Sequence, residues 1–190
     1  MPKRFNFYIN NEKHFSCILQ SVRCTSISNG GNQCKNKTVI GTSFCWRHLM
    51  RDKQVRIKES QYGLGLFALN PNKGERERIF KEGDTIVKYD GEIISQDERR
   101  ERYANQTSPY GVQMRNNTVN DGACKRGVGT LVNHATGQRE NAKFSFTRNG
   151  ELQIKAIKNI HNNREIFINY NKGRMPGEPR YSFINNHQTK

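Results

Sequence analysis

From residue 54 onward the apolar positions recur in short runs separated by turn-forming residues, the signature of a chain of brief β-strands. "QVRIKES" (54–60) alternates apolar and polar side chains, "LGLFAL" (64–69) is a compact apolar run behind a glycine, and "DTIVKYDGEII" (84–94) is rich in β-branched residues. "KFSFTR" (143–148) and "ELQIKAI" (151–157) flank Asn149-Gly150, a pair suited to the left-handed backbone of a tight turn, and so predict a hairpin. A last strand, "EIFINY", ends at Tyr170. One segment breaks the pattern. "SQDERRERYAN" (95–105) is dense in charge, and Ser95 with Glu98 forms an S-x-x-E capping box, which predicts a surface helix beginning after Ser95. The expected architecture is mostly β with one short helix, from about residue 54 to about residue 172.

Composition limits what this chain can be. At 190 residues and 33% apolar content it can bury one modest core, so one domain with a small appendage is expected. The opening "MPKRFNFYINNEKHF" lacks the apolar run of a signal peptide, and no window approaches the roughly 18 to 20 apolar residues of a membrane span. These features predict a soluble intracellular protein, nuclear or cytoplasmic, with no membrane partner. The formal net charge is +15, and it is densest early: residues 1–60 hold 11 Lys/Arg against 3 Asp/Glu, residues 61–190 hold 21 against 14. Such a field attracts nucleic acid or an acidic assembly such as a nucleosome face.

Five cysteines are an odd number, which excludes a complete disulfide framework and points to metal or free thiols in a reducing compartment. Four fall within "CILQSVRCTSISNGGNQCKNKTVIGTSFCWRH" (17–48). Cys45 and His48 have the spacing that puts two ligands on one face of a helical turn, and "NGG" (29–31) is the expected turn between Cys24 and Cys34. Cys24, Cys34, Cys45 and His48 therefore make a candidate Cys3His zinc site, whose metal supplies stability that so short a segment cannot draw from a core. Cys17 and His14 are alternative ligands. The plainer reading packs the thiols as small apolar groups around Trp46 as a core anchor.

Four further pieces carry chemistry together rather than singly. Gly63 and Gly65 in "YGLGLFA" allow close approach of backbone to a ligand, "YDGEII" puts Tyr89 and Glu92 around a strand break, Asn133-His134 follows an apolar pair, and "EIFINY" delivers Tyr170 at a strand end. In this order and spacing, with "VNDGACKRGVGTLVNHA" (119–135), Asn141 in "REN" and "IKAIKNI" (154–160), they resemble the SET domain of protein lysine methyltransferases. The resemblance covers roughly residues 54–172. It departs from the family at Asn169, Ala135 and Thr130, where Asp, Ser or Thr, and Arg are usual, and in lacking a cysteine-rich segment after residue 172.

The resemblance implies a SET-domain fold of short curved sheets with a pseudoknot and one inserted helix, plus a small N-terminal zinc module. The expected divisions are 1–53 for the basic Cys3His module, 54–172 for the methyltransferase domain and 173–190 for a tail that either closes the site as a lid or leaves it open. It further implies that S-adenosylmethionine is the cofactor, that Gly63, Leu64, Gly65, Asn133 and His134 bind it, that Tyr170 is the catalytic tyrosine and that Tyr110 lines the lysine channel. Ile168 stands where the family carries Phe or Tyr, so repeated methylation is expected. The implied substrate is a protein lysine, on a histone or on a non-histone protein. A non-catalytic chromatin- or nucleic-acid-binding module on the same scaffold is the competing reading. Compact members of the family form dimers, which makes a homodimer an expected assembly, and the pairing with a Cys3His module resembles proteins of large DNA viruses.

Overall fold

A computed structural model describes residues 3–28, 30–39 and 41–172; the expected tail or lid over 173–190 lies outside them. The chain opens with a hairpin that the strand reading passed over, β1 (Lys3–Ile9) and β2 (Glu12–Leu19), turned by Asn10 and Asn11 at φ 51° and 67°. Two consecutive left-handed residues are what a two-residue hairpin turn requires, and asparagine tolerates that conformation better than other non-glycine residues. After an irregular metal-ligand-bearing segment come α1 (Trp46–Lys53), the hairpin β3 (Val55–Ser60) and β4 (Gly63–Ala68), then β5 (Arg78–Phe80), β6 (Thr85–Lys88) and β7 (Glu92–Ile94). The expected helix is α2 (Gln96–Tyr103), and its capping box is closed in both directions between Ser95 and Glu98. The rest is β8 (Gly111–Gln113), β9 (Val119–Asp121), β10 (Asn133–His134), β11 (Ala142–Phe146), β12 (Leu152–Ala156), β13 (Ile160–His161) and β14 (Phe167–Ile168).

The largest sheet has the order β10-β14-β11-β12-β6. β11 and β12 form the hairpin predicted around Asn149-Gly150, with Gly150 at φ 78°. "EIFINY" is less regular than expected, since only Phe167 and Ile168 pair as strand. Those two residues run parallel to both β10 and β11, which are consecutive in the chain. The late strand is thus threaded between two earlier ones, and the connection from His134 to Ala142 passes across its end. Chains rarely thread in this way, and local patterning does not predict it.

A single apolar cluster holds this arrangement, built from Val55, Leu66, Val132, Ile154, Ile166 and Ile168 among others, each at most 2% exposed. Each such side chain contributes about 1.5–3 kcal/mol by leaving water. Leu49 of α1 joins this cluster, with Val39 and Phe44 packed against it. The N-terminal hairpin builds a second cluster: Phe5 and Phe7 pack with Tyr103 and Ala123, and Phe7 meets the Tyr103 ring edge-on at 5.0 Å. Among the described residues no helix is long and apolar enough to cross a membrane.

The cysteine expectation needs one correction. Cys17 and Cys124 are joined by a disulfide across 107 residues, with Cα atoms 5.6 Å apart. Hairpin packing explains it. Cys17 faces the Phe5–Tyr103 cluster from β2, and Cys124 follows β9 into the same cluster. That pairing withdraws Cys17 from metal binding, while His14 sets its Nε2 against the Glu101 carbonyl at 3.0 Å.

Candidate functional site

Two sites emerge, and the first is the cysteine cluster. Cys24, Cys34, Cys45 and His48 present ligand atoms that all lie within 4.8 Å of one another. The His48 Nδ1 is 3.4 Å from the Cys24 sulfur and 3.2 Å from that of Cys45. A tetrahedron with metal–ligand bonds of about 2.0–2.3 Å has edges of about 3.3–3.8 Å, so the arrangement fits zinc. The backbone is shaped for it. The Cys24 amide donates to the Asn36 carbonyl at 2.9 Å and the Cys34 amide to the Ser26 carbonyl at 2.8 Å, folding residues 23–37 back on themselves through a turn at Gly30-Gly31. Burial pushes the Cys24 thiol up, but hydrogen bonds from the Cys45 amide and from Ser26 outweigh it and hold the group down at about 6, in favour of the thiolate a metal needs. Trp46 is not the anchor of a small core, because it is 55% exposed. The helix it begins turns Leu49 inward instead.

The second site lies where β4 meets the threaded strand. Gly65 has no room for a side chain: a Cβ there would collide with Oε1 of Glu165 and come within 2.9 Å of Asn133 Nδ2. Asn133 Nδ2 donates to Glu165 Oε1 at 2.8 Å and to the Leu64 carbonyl at 3.3 Å, while the other Glu165 oxygen accepts from Ser60 Oγ at 2.9 Å. Asn133 is in this way tied directly to the Gly63–Gly65 segment (Gly63 at φ 91°) at Leu64, and through the Glu165 carboxylate to Ser60. The Leu64 side chain itself is 46% exposed.

His134 and Tyr170 form the other half. The Tyr170 amide donates to His134 Nδ1 at 3.0 Å, and the two rings meet edge-on at 5.2 Å. Burial lowers the His134 pKa, with the Glu140 carboxylate acting weakly the other way. The ring is therefore neutral at pH 7, with its proton on Nε2, because Nδ1 accepts. The Tyr170 hydroxyl donates to the Val132 carbonyl at 2.6 Å, which fixes the phenol at the end of β10. Asn141 clamps the threaded strand from the far side: its amide group donates to the Glu165 carbonyl at 2.8 Å and its oxygen accepts from the Phe167 amide at 2.8 Å.

Tyr110 packs against the second apolar cluster. Its half-buried ring packs on Phe5 at 5.8 Å and lies under the Arg126 guanidinium at 4.2 Å. The link is Tyr89, whose hydroxyl donates to the Tyr110 carbonyl at 2.7 Å. Burial raises the Tyr89 phenol far above its ordinary value, and the neighbouring phenols of Tyr170 and Tyr110 add to the effect, so Tyr89 stays protonated. Tyr89 thus stands between Tyr110 of the second cluster and the main cluster against which Tyr170 packs.

Sequence reasoning missed Glu165 as a site residue. Its signal was present, since it is the only charged residue of "EIFINY", and the crowding at Gly65 needs a partner. A cavity of about 470 Å³ shares Glu165 and Phe167 with this region and is otherwise lined by Phe67, Arg139, Asn141 and Lys158 among others, with none of the expected cofactor residues in its lining.

The sequence profile of the SET domain matches residues 63–171. A histone-lysine N-methyltransferase, H3 lysine-4 specific, from Mycosarcoma maydis is 31% identical over 150 residues, covering 72% of this chain and 10% of its own length. Its counterpart from Cryptococcus neoformans var. neoformans serotype D is 28% identical over 143 residues, covering 71% and 9%. The chain thus spans about a tenth of the length of these curated relatives. Among solved structures, ctPRC2 in complex with H3K27me3 and H3K27M superimposes with a TM-score of 0.50 at 28% identity, over 65% of this chain and 15% of that one. The crystal structure of the Chaetomium thermophilum polycomb repressive complex 2 gives 0.50 at 26% identity, over 68% and 17%. The chain belongs to the SET-domain family.

Proposed function

We propose that this SET-domain chain is a protein-lysine N-methyltransferase acting on a histone, with residues 54–172 as the catalytic domain and residues 1–53 as a metal-bearing module beside it. The observation that carries the reading is the convergence of Gly65, Asn133, His134 and Tyr170, drawn from three distant segments, around one threaded strand. The similarity to H3 lysine-4 enzymes supports a histone as substrate. S-adenosylmethionine, when bound, supplies a methyl group on a positively charged sulfur.

The residues suit that partner. The Gly63–Gly65 edge, where Glu165 and Asn133 leave Gly65 no room for a side chain, offers backbone to its methionine end, and Asn133 and His134 present an amide and a neutral imidazole with fixed orientation. Tyr170 orients the lysine amine, and its phenol stabilises partial positive charge at the transferring carbon. A preset dipole of this kind acts on the transition state without reorganisation. Tyr89 and Tyr110 give the lysine stem an aromatic wall, where burial favours the neutral amine that must attack. Ile168 is 1% exposed and pairs in register with His134, so no hydroxyl from this position holds water beside the amine, and di- or trimethyl product is expected.

The test is transfer of labelled methyl from S-adenosylmethionine to core histones, with the lysine mapped by mass spectrometry. Labelled histone supports the proposal, and label only on other proteins of an extract moves the substrate assignment. Absence of thermal stabilisation by S-adenosylmethionine would favour the non-catalytic binding module instead.

A further inference from the structure

The metal cluster shapes a surface that methyl transfer does not use. Every ligand has an exposed neighbour that is cationic or aromatic: Arg23 precedes Cys24, Lys35 follows Cys34, Trp46 follows Cys45 and Arg47 precedes His48. Adjacent Cα atoms are about 3.8 Å apart. Because the four ligand atoms converge within 4.8 Å, these four neighbours are gathered onto one small knob. Lys37 belongs to the same knob, since Asn36 beside it reaches the Cys45 sulfur at 3.8 Å and Lys37 bridges to Arg23.

Its chemistry is selective. Residues 20–54 hold six Lys/Arg, all exposed, against one acidic residue, Asp52, whose carboxylate is taken by Arg51. Trp46 is the only tryptophan of the chain and stands 55% exposed, with the Arg47 guanidinium over its ring at 5.4 Å. A large exposed aromatic costs solvation, and nothing in the described fold buries it. Interleaved cations and a free aromatic face match a sugar-phosphate backbone and an unpaired base: the cations neutralise phosphates, and the ring stacks regardless of base identity. An acidic peptide would satisfy the charges but give the indole face no planar partner. We infer that the Cys3His knob binds single-stranded nucleic acid, with Trp46 stacking on a base and Lys35, Lys37 and Arg47 contacting phosphates, while Arg23 braces the knob through the Gln33 and Cys34 carbonyls.

This inference does not depend on the methyltransferase reading, and its assay contains neither S-adenosylmethionine nor histone. The single tryptophan makes the site its own reporter. Full-length zinc-loaded protein titrated with a mixed-sequence single-stranded oligonucleotide should lose Trp46 fluorescence, with log affinity falling linearly with log salt. Lys35→Gln and Lys37→Gln should each reduce that salt slope by about 1. Trp46→Ala, followed by anisotropy of a labelled oligonucleotide, should weaken binding about tenfold or more while zinc content and circular dichroism stay unchanged. Chelation should abolish the quench by dispersing the knob. Three results would overturn the inference: oligonucleotide binding with Trp46 fluorescence unaltered, no binding to any oligonucleotide at low salt, or displacement by poly-glutamate as effective as by nucleic acid, which marks a surface that reads charge alone.

Discussion

The two sites solve one problem, bringing separated residues to a point, by opposite means. The Cys3His cluster gathers candidate ligands from a span of 25 residues that contributes few side chains to any core, and a bound ion is what we propose holds its convergence. The Gly65–Asn133–Tyr170 group gathers residues separated by about 100 positions without any ion, through a strand threaded between two others and locked by Asn141, Glu165 and buried isoleucines. One site is a ligand-built fold and the other a fold-built ligand site. Loss of the ion should therefore be felt in folding at the first, whereas loss of a single side chain at the second should be felt in binding or chemistry with the fold kept.

The largest expected effect tests the first half of that contrast. Structural zinc in small modules binds with an apparent free energy of about 10–16 kcal/mol, most of which is folding energy. Purified protein should carry about one zinc per chain, and Cys45→Ser or chelation should release it and expose the 20–54 backbone to hydrogen exchange. Protection in β11, β12 and β14 should persist, because among the described residues the main apolar cluster draws only Leu49, Val39 and Phe44 from this region. Protein free of zinc when prepared without chelator, or unchanged protection after its loss, would show that the cluster folds on its own contacts.

Next in size is Tyr170→Phe. The hydroxyl donates to the Val132 carbonyl, and the ring keeps its place beside His134 without it. Removing one preset electrostatic group commonly costs about 10²–10³ in turnover. A loss of that order is expected, with S-adenosylmethionine affinity and melting temperature nearly unchanged; full activity would remove the catalytic assignment. A collapse of stability would instead make Tyr170 part of the knot, and the two sites would then differ less than argued.

Much of this was legible in the chain and some was not, for physical reasons. Spacing pointed to Cys24, Cys34, Cys45 and His48, with Cys17 and His14 left as alternatives, because ligands close in sequence must satisfy short-range geometry. The strands, the capping box at Ser95 and the hairpin at Asn149-Gly150 were legible because each is set by local backbone preference. The Asn10-Asn11 turn was equally local and was passed over among the polar residues around it. The threading of β14, the Cys17–Cys124 disulfide and the role of Glu165 were not readable from periodicity, since each depends on which distant segments meet. Only the order of motifs, through family resemblance, reached Asn133 and Tyr170.

A smaller effect is expected for Asn133→Ala. The change leaves Glu165 Oε1 without its amide donor and removes a group offered to the cofactor, so binding should weaken by about 1–3 kcal/mol, the usual cost of an unsatisfied buried partner. Calorimetry with S-adenosylmethionine measures it. The protein should remain folded, because Asn141 still clamps the strand from the other side. Unchanged affinity would place the cofactor elsewhere, and the cavity beside Phe67 and Arg139 would be the next region to probe.

The smallest expected effect is a pH dependence confined to the threaded site. Burial lowers the His134 pKa below its ordinary value, so the folded state binds this proton less readily than the unfolded chain does. The sign follows: the contribution of His134 is fully present above the unfolded value near about 6.5 and is lost as pH falls through the lower folded value. Protonation puts a hydrogen on Nδ1, which then cannot accept from the Tyr170 amide, and the ring loosens at the point where Tyr170 is aimed. Glu140 limits the effect by favouring the charged ring, although its carboxylate is already engaged by Lys172 at 2.7 Å. Cofactor affinity should therefore decline gently as pH falls through the lowered folded value, with exchange protection of the Tyr170 amide declining in step. His134→Asn, whose side-chain oxygen can accept in place of Nδ1, should flatten both curves. A decline that survives in His134→Asn would assign the titration to another group and leave the imidazole as a packing element of the knot.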